Sequence, residues 1–165
     1  MAATSWNALQ PRLLPKSGSI PYVIEVPEAA SQSFKAGTPV YLVSNKATIC
    51  ADSTDGFLGI AMEDASGSTD TAISVQVAAP DACFVIARVT SAGTDALAST
   101  CSIGQGYGWY ADADSVFYAD TGDTTNPVLI YEAPIKDNAG AAGYWGLFSI
   151  VSGLAGNIDE ENSGP

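Results

Sequence analysis

The chain is 165 residues long, 47% hydrophobic and only 15% charged, with 18 acidic against 6 basic residues and a net charge of -12. That length reads most simply as one domain with some terminal extension, and so apolar a composition excludes a wholly disordered chain. The cations stand singly at 12, 16, 35, 46, 88 and 136, so the sequence offers no clustered basic surface for nucleic acid, and its charge disfavours anionic membranes.

Residues 1–19 read as an arm. Trp6, Leu9, Leu13 and Leu14 are apolar, but Pro11, Pro15 and Gly18 interrupt any helix. A segment too broken to form its own core lies on another surface, either its own domain's or a neighbouring chain's. The stretch lacks a basic n-region and an unbroken apolar h-region, so no secretory signal is expected. No apolar run reaches the ~20 residues that a membrane helix needs.

From Ile20 to residue 152 the pattern is strand after strand. "IPYVIEV" (20–26) alternates, with Tyr22, Ile24 and Val26 on one side. "TPVYLVS" and "KATICA" are separated by Asn45, a residue that tolerates a left-handed turn. "GFLGIAME" (56–63) predicts Leu58, Ile60 and Met62 on one face, with Phe57, Gly59 and Ala61 on the other. "TAISVQVA" (71–78) points Ile73, Val75 and Val77 inward. "ACFVIARVT" (82–90) is apolar on both faces apart from Arg88, as a central or interface strand would be.

"TDALAS" (94–99) is long enough for one helical turn, and then "GYGWYAD", "SVFYA", "PVLIYEA" and "YWGLFSIV" continue the strand pattern. Turn residues punctuate these runs every ~8–12 residues, which predicts an all-β sandwich or barrel. Residues 153–165 turn polar and acidic and read as a flexible tail.

Candidate chemistry is sparse. Histidine is absent, which removes Ser-His-Asp and Cys-His arrangements and every His-bearing zinc site. Glu63 and Asp64 are adjacent, so on a strand they would face opposite ways, and the Ala, Ser, Gly and Thr that follow suit a solvated turn. "DADSVFYADTGD" (112–123) spaces Asp112 and Asp114 like a calcium loop. It then places Phe117 where glycine is required and Asp123 where glutamate is, although Asp120 and Asp123 remain candidate ligands.

"GQGYG" (104–108) has its third glycine one position early for a dinucleotide loop, and strand residues follow it. Cys50, Cys83 and Cys101 are odd in number and widely spaced, and read as reduced thiols. No catalytic residue, metal ligand or cofactor is assigned. The pairs Trp109-Tyr110, Phe117-Tyr118 and Tyr144-Trp145 would each put one ring inside and one near the surface.

The segment 34–89 resembles the small β-rich head decoration, or capsid cement, proteins of tailed bacteriophages. The matching residues are Lys35-Ala36-Gly37, Pro39-Val40, Gly56, Gly59-Ile60-Ala61, Pro80, Phe84 and Ala87-Arg88-Val89, about a third of the chain. The resemblance implies a small β-barrel or β-tulip-like domain, made in the host cytoplasm, that binds the outside of the assembled capsid, commonly as a homotrimer. The implied partners are the major capsid protein and other copies of the chain, with no nucleic acid and no membrane. Trp6, Leu9, Leu13, Leu14, Ile20 and Tyr22 become the candidate contacts to capsid or subunit. Two other readings stand beside it: a carbohydrate-binding or adhesion module using Trp109 or Trp145, and a different virion β-domain of tail tube or connector.

Overall fold

The computed structural model describes residues 9–19, 22–51, 56–136 and 142–151. These form twelve strands and one 3-10 turn at Ala98–Thr100, with no α-helix among the described residues. The single helical turn expected over 94–99 falls at its end, and Thr94–Asp95 is extended instead. The tail at 153–165 lies outside the described residues.

The smaller sheet is antiparallel throughout. Its strands run in the order β2 (Val23–Pro27), β6 (Ala72–Val77), β5 (Gly59–Ala61), β3 (Pro39–Val43) and β4 (Lys46–Ile49). Ser44 and Asn45 link β3 to β4 with φ of 50° and 61°. Two consecutive left-handed residues match the right-handed twist of the strands they join. At the far side Glu28 bridges to Ala47, and the Ala29 N–H donates to the Ala47 carbonyl at 3.0 Å. The end of β2 thus meets β4, curling the sheet nearly closed.

The larger sheet goes further. β7 (Cys83–Ser91) pairs with β10 (Phe117–Asp120), β10 with β9 (Gly106–Ala111), β9 with β11 (Leu129–Lys136), β11 with β12 (Ala142–Ile150), and β12 again with β7. The pairings run round a five-strand ring, a barrel in which only β7 and β10 are parallel. β8 (Thr94–Asp95) folds back on β7 through a two-residue turn, Ala92 at φ 48° and Gly93 at φ 85°.

Alternation fills the barrel. Cys83, Val85, Ala87 and Val89 of β7 point inward with Tyr107, Trp109, Phe117, Ala119, Leu129, Tyr131, Phe148 and Ile150. Trp109 is 1% exposed and meets Phe57 and Phe117 edge-on, with ring centroids 5.3 and 6.2 Å away. A second cluster, including Val26, Phe34, Val40, Leu58, Ile73 and Val75, fills the smaller sheet. Phe57, Ile60 and Cys50 join the barrel's core rather than that one, so the two sheets share apolar packing.

One expectation needs correction. The 56–63 segment does not divide into Leu58/Ile60/Met62 against Phe57/Gly59/Ala61. Phe57 and Ile60 face the barrel while Leu58 and Ala61 face the smaller core, because the strand proper is only three residues long and lies between the two clusters. The described part of the arm decides between the two surfaces that the sequence leaves open for it. Arg12–Pro15 is a strand, β1, antiparallel to β7 from Arg12 opposite Ile86 to Pro15 opposite Cys83. The surface that this part of the arm covers is its own domain's.

β1 shares one edge of β7 with β10. Val85 and Ile86 pair with both β1 and β12, and Arg88 pairs with both β10 and β12, so β12 holds one edge and β1 and β10 lie end to end on the other. Gln10, 3% exposed, bridges them: its Nε2 donates to the Ser115 carbonyl at 2.7 Å and its Oε1 accepts from the Phe117 N–H at 3.3 Å.

Candidate functional site

Glu63, Asp64, Asp112, Asp120 and Asp123, carboxylates that the sequence singles out, each have a local structural partner. In the 63–70 loop, Glu63 accepts from the Ser74 N–H. Asp64 accepts from the Ala36 N–H at 3.0 Å and pairs with Lys35 at 2.9 Å, while Asp70 pairs with Lys46 at 2.7 Å. Glu28, fully buried, accepts from the Ser66 N–H at 2.8 Å. The loop is braced by these groups from several directions, and Glu63 and Asp64 do not converge on a common point.

The Lys35 ammonium, and then the Ala36 N–H, hold the Asp64 carboxyl below the usual carboxylate range. A lowered folded value means that its stabilising contribution is present above the unfolded carboxylate pKa and is lost as pH falls through the folded one. An NMR titration should therefore find Asp64 titrating below an ordinary aspartate, and Lys35→Met should move it back up. An unchanged midpoint in the variant would remove the Lys35 contribution.

The 112–123 stretch behaves alike. Asp112 Oδ1 accepts from the Asp114 and Val116 N–H groups, and its Oδ2 accepts from the Tyr118 hydroxyl at 3.0 Å. Asp120 Oδ1 takes the Ala92 and Gly122 N–H groups, and Asp123 Oδ1 takes those of Thr125 and Asn126. Asp120 and Asp123 thus shape the turn itself. Among the described residues no three of Cys, Asp and Glu gather as a metal site.

The cysteines are free thiols. Burial pushes Cys50 and Cys83 up and Cys101 up to about 11, so none is a ready thiolate at neutral pH.

What the surface does present is apolar and aromatic. Leu9 is exposed, Leu14 is 42% exposed, and Tyr22 is 54% exposed beside an equally open Val23. Leu13, by contrast, turns inward opposite Val85 and packs against the barrel core. Trp6 and Ile20 lie outside the described residues. Of the aromatic pairs, Trp109 and Phe117 are interior; Tyr144 is exposed and Trp145 half-buried.

The outward residues of β1, β7 and β12 form rows. Leu14 lies opposite Phe84, Arg12 opposite Ile86 and Ile86 opposite Leu147, and Arg88 opposite Trp145. Cations cover the rings: Arg12 lies 5.6 Å from the Trp145 centroid, Lys16 4.7 Å from that of Phe84, and Arg88 5.4 and 5.7 Å from Tyr118 and Tyr144. Sequence reading missed Val23, Arg12 and Lys16. The signal for the last two is the period-2 spacing of Arg12, Leu14 and Lys16, legible only once β1 is known to be a strand.

Among the described residues, two strand edges are also open, that of β1 and the start of β2. In β6 the Val77 N–H donates to the Tyr22 carbonyl, which fixes the parity: Tyr22, Ile24 and Val26 turn their backbone groups to β6, and Val23 and Glu25 turn theirs away. β1 likewise pairs only with β7 among the described residues. A comparison with protein-family models and one with curated protein sequences find no match to this chain.

Proposed function

We propose that this chain is a structural protein of a tailed-phage particle that binds the outer surface of the assembled capsid and stabilises it. The observation that carries this reading is the placing of Leu9, Leu14, Tyr22 and Val23, exposed apolar side chains beside two strands with open edges. Open edges with apolar side chains suit partner segments that add as strands, with backbone hydrogen bonds giving affinity and alternate side chains giving register. The resemblance of residues 34–89 to head decoration proteins supports the same reading, and its matching residues supply the centre of the smaller sheet and the start of the barrel.

The mechanism is clamping. A protein that binds the expanded lattice but not its dissociated subunits stabilises that lattice by linkage. Self-association, as a trimer, would let individually weak contacts act together through effective concentration. The partner is the major capsid protein, and the chain performs no catalysis. The carbohydrate-binding alternative loses one of its two tryptophans, because Trp109 is buried in the barrel.

Mixing the purified protein with undecorated, expanded heads should give saturable binding and a higher head rupture temperature. Absence of binding to the cognate head would overturn the proposal, and a tryptophan fluorescence response to sugars would favour the alternative.

A further inference from the structure

We propose that the outer face of β1, β7 and β12 is where the capsid docks, and that Arg12 and Lys16 recognise carboxylates there. This rests on the function proposed above and names the surface and the chemistry that it would use.

The argument begins with charge. In a chain of net charge -12, a cation without an acidic neighbour stands out. Among the described residues, Lys35, Lys46 and Arg88 each pair with a carboxylate, on Asp64, Asp70 and Asp95 respectively. Arg12 and Lys16 pair with none; Lys16 donates to the Pro80 carbonyl instead. Arg12 opens the short strand β1 and Lys16 follows directly after its end, where its N–H still donates to the Ala82 carbonyl, and both side chains rest on aromatic rings.

The ring contacts matter for binding. A cation held over an aromatic face has already lost part of its side-chain freedom, so less is lost when a partner arrives. Leu14, Phe84, Ile86 and Leu147 surround the two cations with half-buried or exposed apolar surface. Arginine and aromatic side chains on an apolar field are the composition that concentrates binding energy at protein interfaces.

The spacing specifies the ligand. Arg12, Leu14 and Lys16 project from the same side of an extended segment, so the two cations are about 13 Å apart along it with an apolar side chain between. The complementary partner is a capsid segment, extended and apolar at its centre, carrying one carboxylate on either side about four residues apart. The acidic character of the rest of the molecule then repels misplaced encounters and leaves this face as the attractive one.

The test uses full-length protein and undecorated expanded heads, with binding measured at low and high salt. The double variant Arg12→Gln/Lys16→Gln is expected to bind at least tenfold more weakly at low salt, to lose most of the salt dependence, and to keep its wild-type unfolding midpoint and solution mass. Lys35→Gln/Lys46→Gln makes the same change in net charge elsewhere and is expected to bind as wild type. Equal binding by all three proteins, or equal loss in both variants, overturns the assignment while the capsid-binding function stands. A changed solution mass in the first variant, with head binding retained, assigns the face to a second copy of the chain and also overturns it. Failure of the wild type to bind heads overturns the function and this inference together.

Discussion

Gly59→Ala is expected to lower the unfolding midpoint by roughly 6–12 °C, the consequence of about 3 kcal/mol in a domain of this size. Gly59 belongs to β5, the short strand between β3 and β6, opposite Val77 on one side and Val40 on the other. A Cβ there would stand 2.1 Å from the Gln76 carbonyl oxygen, 2.9 Å from its carbon and 3.1 Å from Val75 Cγ1. Two of those three atoms are backbone, so relief requires β5 and β6 to separate. That separation would open the layer where Ile60 enters the barrel's core and Ala61 the smaller one. Thermal unfolding followed by circular dichroism measures it, and a wild-type midpoint would show that the two strands part without cost.

Deleting residues 1–16 is the second large perturbation. The loss removes β1 from β7, takes Leu13 off the barrel core, and strips Gln10 from the Ser115 carbonyl and the Phe117 N–H. Each buried backbone group left without a partner costs ~1–3 kcal/mol. A total of about 3 kcal/mol, or roughly 6–12 °C, is expected once water reaches the freed edge. A deletion of residues 1–8 serves as the reference, since every contact just named belongs to residues 10–15. Equal midpoints for the two deletions would mean that β1 lies on the domain without stabilising it. If capsid binding works as proposed, the longer deletion also abolishes it, because Arg12, Leu14 and Lys16 are gone.

Much of the fold is legible because its signal is local. The alternation of Ile73, Val75 and Val77 survives as alternate burial along β6, and the odd residues of β7 line the barrel as a two-faced strand should. Asn45 marks its turn. β1 is not legible: four residues between Pro11 and a terminal Pro15 carry too little pattern, and the partner strand is some seventy positions away. The division of Phe57 and Ile60 from Leu58 and Ala61 is hidden for a related reason, since a strand lying between two cores has no polar face to announce its orientation.

The candidate site divides in the same way. Leu9 and Leu14 are readable as apolar residues in a segment unable to form a core, and Tyr22 as one face of the strand that follows, and the structure leaves all three exposed. Leu13 has the same composition signal and the opposite fate, turned inward by the parity of β1 against Val85. Arg12 and Lys16 read as isolated cations until the strand places them over Trp145 and Phe84.

By itself, then, the sequence determined the all-β class, most strand positions, the lack of any histidine-based chemistry and the acidic balance. Period-2 alternation, turn residues and composition act over a few neighbours, and no partner is needed to read them. Tertiary structure alone decided that five strands close a ring, that β7 and β10 run parallel, that part of the arm is a strand, and which cations pair with no carboxylate among the described residues. Those outcomes depend on which distant segments pair and in what register, and a shift of one residue would exchange the buried and exposed faces of every strand involved.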